Sequence, residues 1–303
     1  MEDQSLKPIR CKAAVCRAAS EPLIVEEIVV DPPKAYEIRI KIICTSLCHT
    51  DVTLWHKVDP AFPRILGHEA YGVVESVGEN VEGFAAGDTV VPTFMGQCDS
   101  CASCAAEWTN QCTAVPFTMG PGMRRDGTTR GRSSMEVGQS ATRFVGGCLR
   151  AGIRRIGGKE FGVTDFVNPS QLGDKSVSEV INAMTDGGAD YSFECIGISS
   201  VMSEAVRSTK SGRGKTIILG VEKDSQPLCL PSFEFLFGKC VMGSLFGGAK
   251  PKTDIPILAE KCMNKELELE KLVTHEVGLT EINTAFNLLL QGKSLRCIIW
   301  MDK

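Results

Sequence analysis

Ile38, Ile40 and Ile42 alternate with Arg39 and Lys41, and this period-two pattern predicts a half-buried strand over residues 37–44. Runs rich in β-branched residues at 11–15, 23–30, 70–77 and 89–93 predict further strands. Pro32-Pro33, the prolines between 60 and 63, Gly78 and the 83–88 segment punctuate them. The first 93 residues therefore read as β-rich.

The period then changes. Val177, Val180, Ile181 and Met184 recur at helical spacing until Gly187-Gly188, and Val201, Met202, Ala205, Val206 and Thr209 do so until Gly212. Buried strands are predicted at 190–196, 215–221 and 240–246, and helices at 255–263 and 282–290. Strands alternating with helices imply a parallel sheet, so the fold class is α/β in this half. Residues 120–158 between the halves are rich in Gly, Arg and Ser and carry no period beyond a short helix at 144–151. The domains expected are 1–127, an irregular joint at 128–158, 159–275, and a C-terminal segment 276–303 that returns to the first.

The totals narrow the function. A chain of 303 residues, 43% hydrophobic and 23% charged, has room for two domains and a core that needs no staple. A net charge of −4 recommends neither nucleic acid nor an anionic membrane. With no long apolar run and a polar N-terminus, a cytoplasmic location is expected. The eight arginines between 124 and 155 have no interleaved aromatics and read as a solvated joint. The 14 cysteines are then reduced thiols or metal ligands. Cys16, Cys44, Cys195, Cys229, Cys240, Cys262 and Cys297 sit among apolar neighbours and read as small hydrophobes.

Cys98, Cys101, Cys104 and Cys112 are different. Their spacing, C-x2-C-x2-C-x7-C, falls among turn formers with little to pack. Four thiolates can close a tetrahedron around Zn2+ and leave no open position, which makes such a site structural. A disulfide pair or four unrelated thiols are the alternatives. Upstream lie Cys48-His49-Thr50-Asp51 and Gly67-His68-Glu69. A thiolate and an imidazole are two of the three protein ligands of a catalytic zinc, which polarises an alcohol or carbonyl oxygen at its open position. Thr50 offers a hydroxyl for proton transfer, while Asp51 and Glu69 offer carboxylates to orient ligands.

Together these motifs resemble the zinc-containing medium-chain alcohol dehydrogenases, in particular their plant alcohol dehydrogenase-like branch. The stretches that carry the likeness are 44–51, 62–70, 72–80, 87–92 and the four-cysteine lobe, then 161–169, 185–197, 215–221, 243–248 and 295–297. They cover most of the chain except roughly 128–147. The resemblance implies a GroES-like β-rich domain with a structural-zinc lobe and a Rossmann cofactor domain. It also implies NAD-linked oxidation of a small primary alcohol to an aldehyde by a homodimer. Cys48 and His68 correspond to catalytic-zinc ligands with Glu69 beside the metal, and Thr50 to the proton-relay hydroxyl. His49 and Arg296 correspond to contacts of the cofactor phosphates. Cys195, Gly197, Gly220, Val221 and Phe246 correspond to the nicotinamide cleft.

The chain also departs from the pattern. The family's third catalytic-zinc ligand, a cysteine in a Gly-rich segment, has no counterpart, and Cys148 is the nearest substitute. No G-x-G-x-x-G turn and no acidic residue about 20 positions beyond it are present. Several tens of residues are missing, with 128–158 as the scar, so the Rossmann domain is expected to be truncated. NAD binding and turnover are expected to suffer. The alternative function is a catalytically inactive, zinc-stabilised remnant that acts as an interaction partner.

Overall fold

The computed structural model of the chain describes residues 7–57, 62–117, 159, 161–222 and 226–303. The joint, the short helix expected at 144–151 and Cys148 lie outside them. In chain order the elements are β1 (Ile9–Cys16), β2 (Ile24–Val30), β3 (Ile38–Ser46), α1 (His49–His56), β4 (Arg64–Ile65), β5 (Glu69–Val77), β6 (Thr89–Val90) and α2 (Ala102–Ala105). There follow α3 (Val177–Met184), β7 (Tyr191–Glu194), α4 (Ser199–Arg207), β8 (Lys215–Ile218), α5 (Ser232–Leu236) and β9 (Cys240–Gly243). The chain closes with α6 (Pro251–Met263), β10 (Val273–Gly278), α7 (Ile282–Leu290) and β11 (Arg296–Trp300). No helix among the described residues is long and apolar enough to cross a membrane.

Contacts divide the chain into two units, residues 1–147 with 249–303, and residues 148–248. In the first unit β2-β1-β4 form one sheet and β10-β11-β3-β5-β6 another. β11 runs antiparallel to β3, with Ile298 opposite Ser46, and parallel to β10. The strands at 273–278 and 296–300 were not expected from the sequence, since Arg296-Cys297-Ile298-Ile299-Trp300 carries no period-two pattern. On α7, Ile282, Ala285, Phe286 and Leu289 form one stripe at helical spacing. They pack with Leu47, Val52, Val277, Cys297 and Ile299 as the core.

β3 departs from its expected alternation. Arg39, on the polar side of the pattern, is 6% exposed, while Lys41 two residues on is exposed. The register with β5 shifts between Arg39 and Ile40, and such a bulge re-aims the side chain. The guanidinium then meets Glu75 at 2.5 Å and donates to the Lys7 carbonyl at 2.9 Å.

By contacts residues 249–303 group with the first unit, and residues 249–253 are stitched to the cysteine lobe. Lys250 Nζ donates to the carbonyls of Cys104 and Ala106 at 2.8 and 2.7 Å. Gln97 accepts from the Lys252 backbone and donates to Thr253, both at 2.9 Å. Asn110 donates to the Ala249 carbonyl at 3.1 Å.

In the second unit β7, β8 and β9 form the expected parallel sheet, with Phe193 beside Ile217 and Ile217 beside Met242. α4 packs on β7 and β8, where Val206 and Thr216 are fully buried. The opposite face does not match the buried strand expected at 190–196. Tyr191 and Phe193 are 57% and 62% exposed. No layer covers that face among the described residues.

Candidate metal centres

Asp51 organises the first centre. Cys48 is the N-cap of α1 with an extended backbone, and Asp51 at the third helical position accepts its N–H at 2.9 Å. The other oxygen of Asp51 accepts from Gly67 N–H at 3.0 Å and meets His68 Nδ1 at 3.2 Å. Gly67 has φ +121°, a left-handed conformation that favours glycine. One fully buried carboxylate therefore fixes the two loops that carry Cys48 and His68. β5 begins at the next residue, Glu69, whose carbonyl accepts from the Thr45 hydroxyl at 2.6 Å.

The result is compact. One donor atom each from Cys48, His68 and Glu69 lies within 4.8 Å of the others, and all three residues are half-buried. The Thr50 hydroxyl stands 3.7 Å from Cys48 Sγ. Burial disfavours the imidazolium, but hydrogen bonds and charges from Asp51 and Cys48 outweigh it and hold His68 up to about 11. A metal ion entering here displaces that proton, so binding releases it.

The cysteine lobe is the second centre. Sγ atoms of Cys98 and Cys104 lie 3.9 Å apart, as do those of Cys101 and Cys112. A tetrahedron with metal–sulfur bonds of about 2.3 Å has edges of about 3.8 Å, whereas a disulfide brings sulfurs to about 2.05 Å. The donor set fits zinc and excludes bridges among these four. N–H groups of Cys101, Cys104 and Val115 point at Sγ of Cys98, Cys101 and Cys112 at 3.3, 3.4 and 3.3 Å. Hydrogen bonds from Ser100 hold the Cys98 thiol below its ordinary value, and those from Thr113 and Cys104 bring Cys101 down to about 5. Burial pushes Cys104 up to about 11.

The residues expected at the cofactor are only partly gathered. A Cβ on Gly197 would lie 1.8 Å from the Val221 carbonyl, and one on Gly220 would lie 2.2 Å from Gly197 N. The turns after β7 and β8 thus cross, which brings Cys195, Gly197, Gly220 and Val221 together at the carboxyl ends of parallel strands, where open α/β sheets bind ligands. Phe246 lies beyond the end of β9 with a left-handed φ of +55°. His49 opens α1 in the other unit. Arg296, also there, is 6% exposed, with Nη1 3.5 Å from Glu69 Oε2 and 3.3 Å from the Leu47 carbonyl.

Sequence reasoning missed Glu194. It is 2% exposed, and its Oε1 accepts from Ile196 and Gly197 N–H at 2.7 and 2.9 Å. A Cβ on Gly220 would lie 2.6 Å from its other carboxylate oxygen. The charged residue inside an apolar run, Phe193-Glu194-Cys195-Ile196, was the available signal.

The fold joins a β-rich unit bearing two metal-type donor sets to a parallel α/β unit, the class of a metal-dependent dehydrogenase. Residues 34–142 match the alcohol dehydrogenase GroES-like domain, and residues 154–262 match the zinc-binding dehydrogenase domain. Alcohol dehydrogenase-like 2 of Arabidopsis thaliana is 46% identical, over 98% of this chain and 98% of that protein. Alcohol dehydrogenase 2 of Solanum tuberosum is 39% identical over 97% and 98%. An alcohol dehydrogenase zinc-binding domain protein from Burkholderia ambifaria has the same fold, with TM-score 0.78 at 24% identity over 97% of this chain and 100% of that one. This chain belongs to the zinc-containing medium-chain alcohol dehydrogenase family. The Arabidopsis alignment runs over 378 positions against 303 residues, so at least 75 positions (378 less 303) face gaps in this chain. Both proteins are covered to 98%, which makes the loss internal.

Proposed function

We propose that this chain carries the metal half of an NAD-linked dehydrogenase that oxidises small primary alcohols to aldehydes, and that its own turnover is impaired. The observation that carries the reading is the buried Asp51, which holds Cys48 and His68 in one half-buried site beside Glu69 and Thr50. Bound there, zinc would supply a Lewis acid for an alcohol or aldehyde oxygen. Asp51 keeps the His68 ring oriented through Nδ1. The Thr50 hydroxyl is placed to take and pass on the proton of a substrate hydroxyl. The cysteine lobe fastens residues 249–253 and takes no part in chemistry.

The cofactor side does not fit as well. The crossed turns at Gly197 and Gly220 are suited to line a nicotinamide. No G-x-G-x-x-G turn offers backbone N–H groups and a helix N-terminus to the pyrophosphate. That absence supports the second reading, a zinc-stabilised remnant that pairs with intact relatives or with its own copy as a homodimer.

The test is NADH formation from ethanol and longer primary alcohols by the purified chain, beside a chimera that restores the missing segment from an intact relative. The expected result is no measurable turnover by the chain and recovery in the chimera. Robust turnover by the chain alone overturns the claim of impairment. A chimera that binds zinc and NAD yet stays inactive overturns the metal half.

A further inference from the structure

The first turn of α6 needs an acceptor that its own sequence does not supply. Its N-cap is Lys250, whose side chain makes no capping bond, and Pro251 follows it. The next N–H, that of Lys252, donates at 2.9 Å to Gln97 Oε1 of the cysteine lobe. We propose that the lobe is a metal-responsive latch on this turn: filling the four-cysteine site seats residues 249–254, and emptying it releases them. This rests on the reading that the lobe holds a metal, and it goes beyond it by coupling that metal to a helix far along the chain.

The ties run through the backbone that carries the cysteines. Lys250 Nζ donates to the Cys104 and Ala106 carbonyls at 2.8 and 2.7 Å. Asn110 donates to the Ala249 carbonyl at 3.1 Å, and Gln97 Nε2 to the Thr253 hydroxyl at 2.9 Å. Lys252 pairs with Asp99 at 3.0 Å. Each of these lobe partners is Cys104 itself or lies within two residues of Cys98, Cys104 or Cys112. A movement of the cysteines therefore moves the latch.

The lobe has little else to hold that backbone. Its helix α2 has four residues, none of them buried, far short of the roughly 12–15 that an isolated helix needs. The turn it caps is packed and not a frayed end, since Pro251 is fully buried and Ile255 is 3% exposed. Gln97 and Asn110 are 6% and 7% exposed, so a shifted lobe leaves buried polar groups without partners. That penalty makes the two arrangements discrete: lobe closed with the turn capped, or lobe open with the turn freed. Coupling of this kind is reciprocal. The seated turn must tighten the metal by the same factor as the metal secures the turn.

The experiment uses the full chain and Co2+, whose absorption distinguishes a four-thiolate site from a site with one sulfur. Lys250→Met and Thr253→Val remove latch bonds from the α6 side and leave every cysteine of the lobe in place. Together they are expected to weaken cobalt binding at the four-thiolate site about 5–150-fold, at a temperature where melting curves show the variants folded. Glu260→Gln, on the same helix but outside the latch, is expected to leave that affinity unchanged. The reciprocal measurement needs no variant: hydrogen exchange of the wild type with metal bound and after chelation. Loss of metal is expected to speed exchange of the 252–254 amides well beyond any change in α7.

A folded wild type without four-sulfur cobalt absorption overturns both this inference and the reading beneath it. Four-sulfur binding that is equally tight in wild type and double variant, or weakened as much by Glu260→Gln, overturns the latch alone. So does exchange at 252–254 that ignores the metal. Equal acceleration in the first turn of α6 and in α7 also overturns it, because the metal then acts on the whole unit.

Discussion

Ile299, on an inner strand of the first unit, and Phe193, on an edge strand of the second, are both apolar residues, and they meet opposite fates. Ile299 on β11 is fully buried beneath α7, whereas Phe193 on β7 is 62% exposed. The first unit closes its sheets with its own helix and with the returning C-terminal segment. The second unit has helices against one face of a sheet type that is normally covered on both. A complete doubly wound cofactor domain has six strands in the order 3-2-1-4-5-6, and three parallel strands are described here. The internal loss of at least 75 positions therefore falls hardest on the cofactor half, whereas the metal half keeps Cys48, His68 and the four-cysteine lobe. The metal-type donors among the described residues come from one unit and a few adjacent turns. A dinucleotide site draws on the whole sheet.

The sharpest way to break the comparison is to unfasten the first unit. Zinc binding to a four-thiolate site contributes to folding free energy directly, on the order of 10 kcal/mol in small isolated domains. If even about 4 kcal/mol of this reaches the first unit, Cys101→Ser lowers its Tm by roughly 8–16 °C for a unit of this size. Calorimetry with zinc analysis checks it. One lost ion and a shifted transition are expected from the first unit, with the second unit unmoved. An unchanged Tm with full zinc content contradicts the structural role of the lobe.

A matched pair of truncations sharpens the same contrast. Ile299→Ala removes buried methyl groups in a packed core and is expected to cost about 2–5 kcal/mol. Phe193→Ala removes a larger ring from an open face, and a cost of about 0.5 kcal/mol or less is expected. Urea titrations of both variants decide the matter. A large loss from Phe193→Ala means that the face is covered in solution.

Legibility in the sequence divided along the same line. The helices at 177–184 and 282–290 were plain from periodicity, and the parallel strands at 215–218 and 240–243 from apolar runs, although Cys240 and Met242 are exposed and not buried as expected. The cysteine lobe was plain from spacing alone. Arg39 was not, because a bulge, invisible to a period-two pattern, turns a charged residue inward. Nor were the bonds that tie residues 249–253 to the cysteine lobe, because Lys250, Gln97 and Asn110 are polar residues whose partners are carbonyls and amides far away in sequence. Glu69 was recognisable as a neighbour of the donors Cys48 and His68. Its distance to Cys48 is a property of how the Asp51 hub folds two loops together.

The smallest expected effect compares one ion pair from each unit. Burial works against the charged form of Glu75, but hydrogen bonds from Arg39 and Ser76 and the guanidinium charge hold its carboxyl below the ordinary value of 4.5. A carboxyl with a depressed folded value binds fewer protons folded than unfolded. Its contribution is therefore present above about pH 4.5 and fades as pH falls through the folded value. Asp190 and Arg213 form a pair at 2.8 Å in the second unit, with side chains 59% and 67% exposed, and such surface pairs are worth about 0–1 kcal/mol. Glu75→Gln is expected to lower Tm by about 2–4 °C at neutral pH, with the gap closing as the pH is taken below 4.5. Asp190→Asn is expected to leave Tm within about 1–2 °C throughout, since the median exposed pair contributes little. Melting curves from neutral pH down to the acid limit of folding provide the check. A pH-independent gap for Glu75→Gln would show that the residue matters for packing and not for its charge.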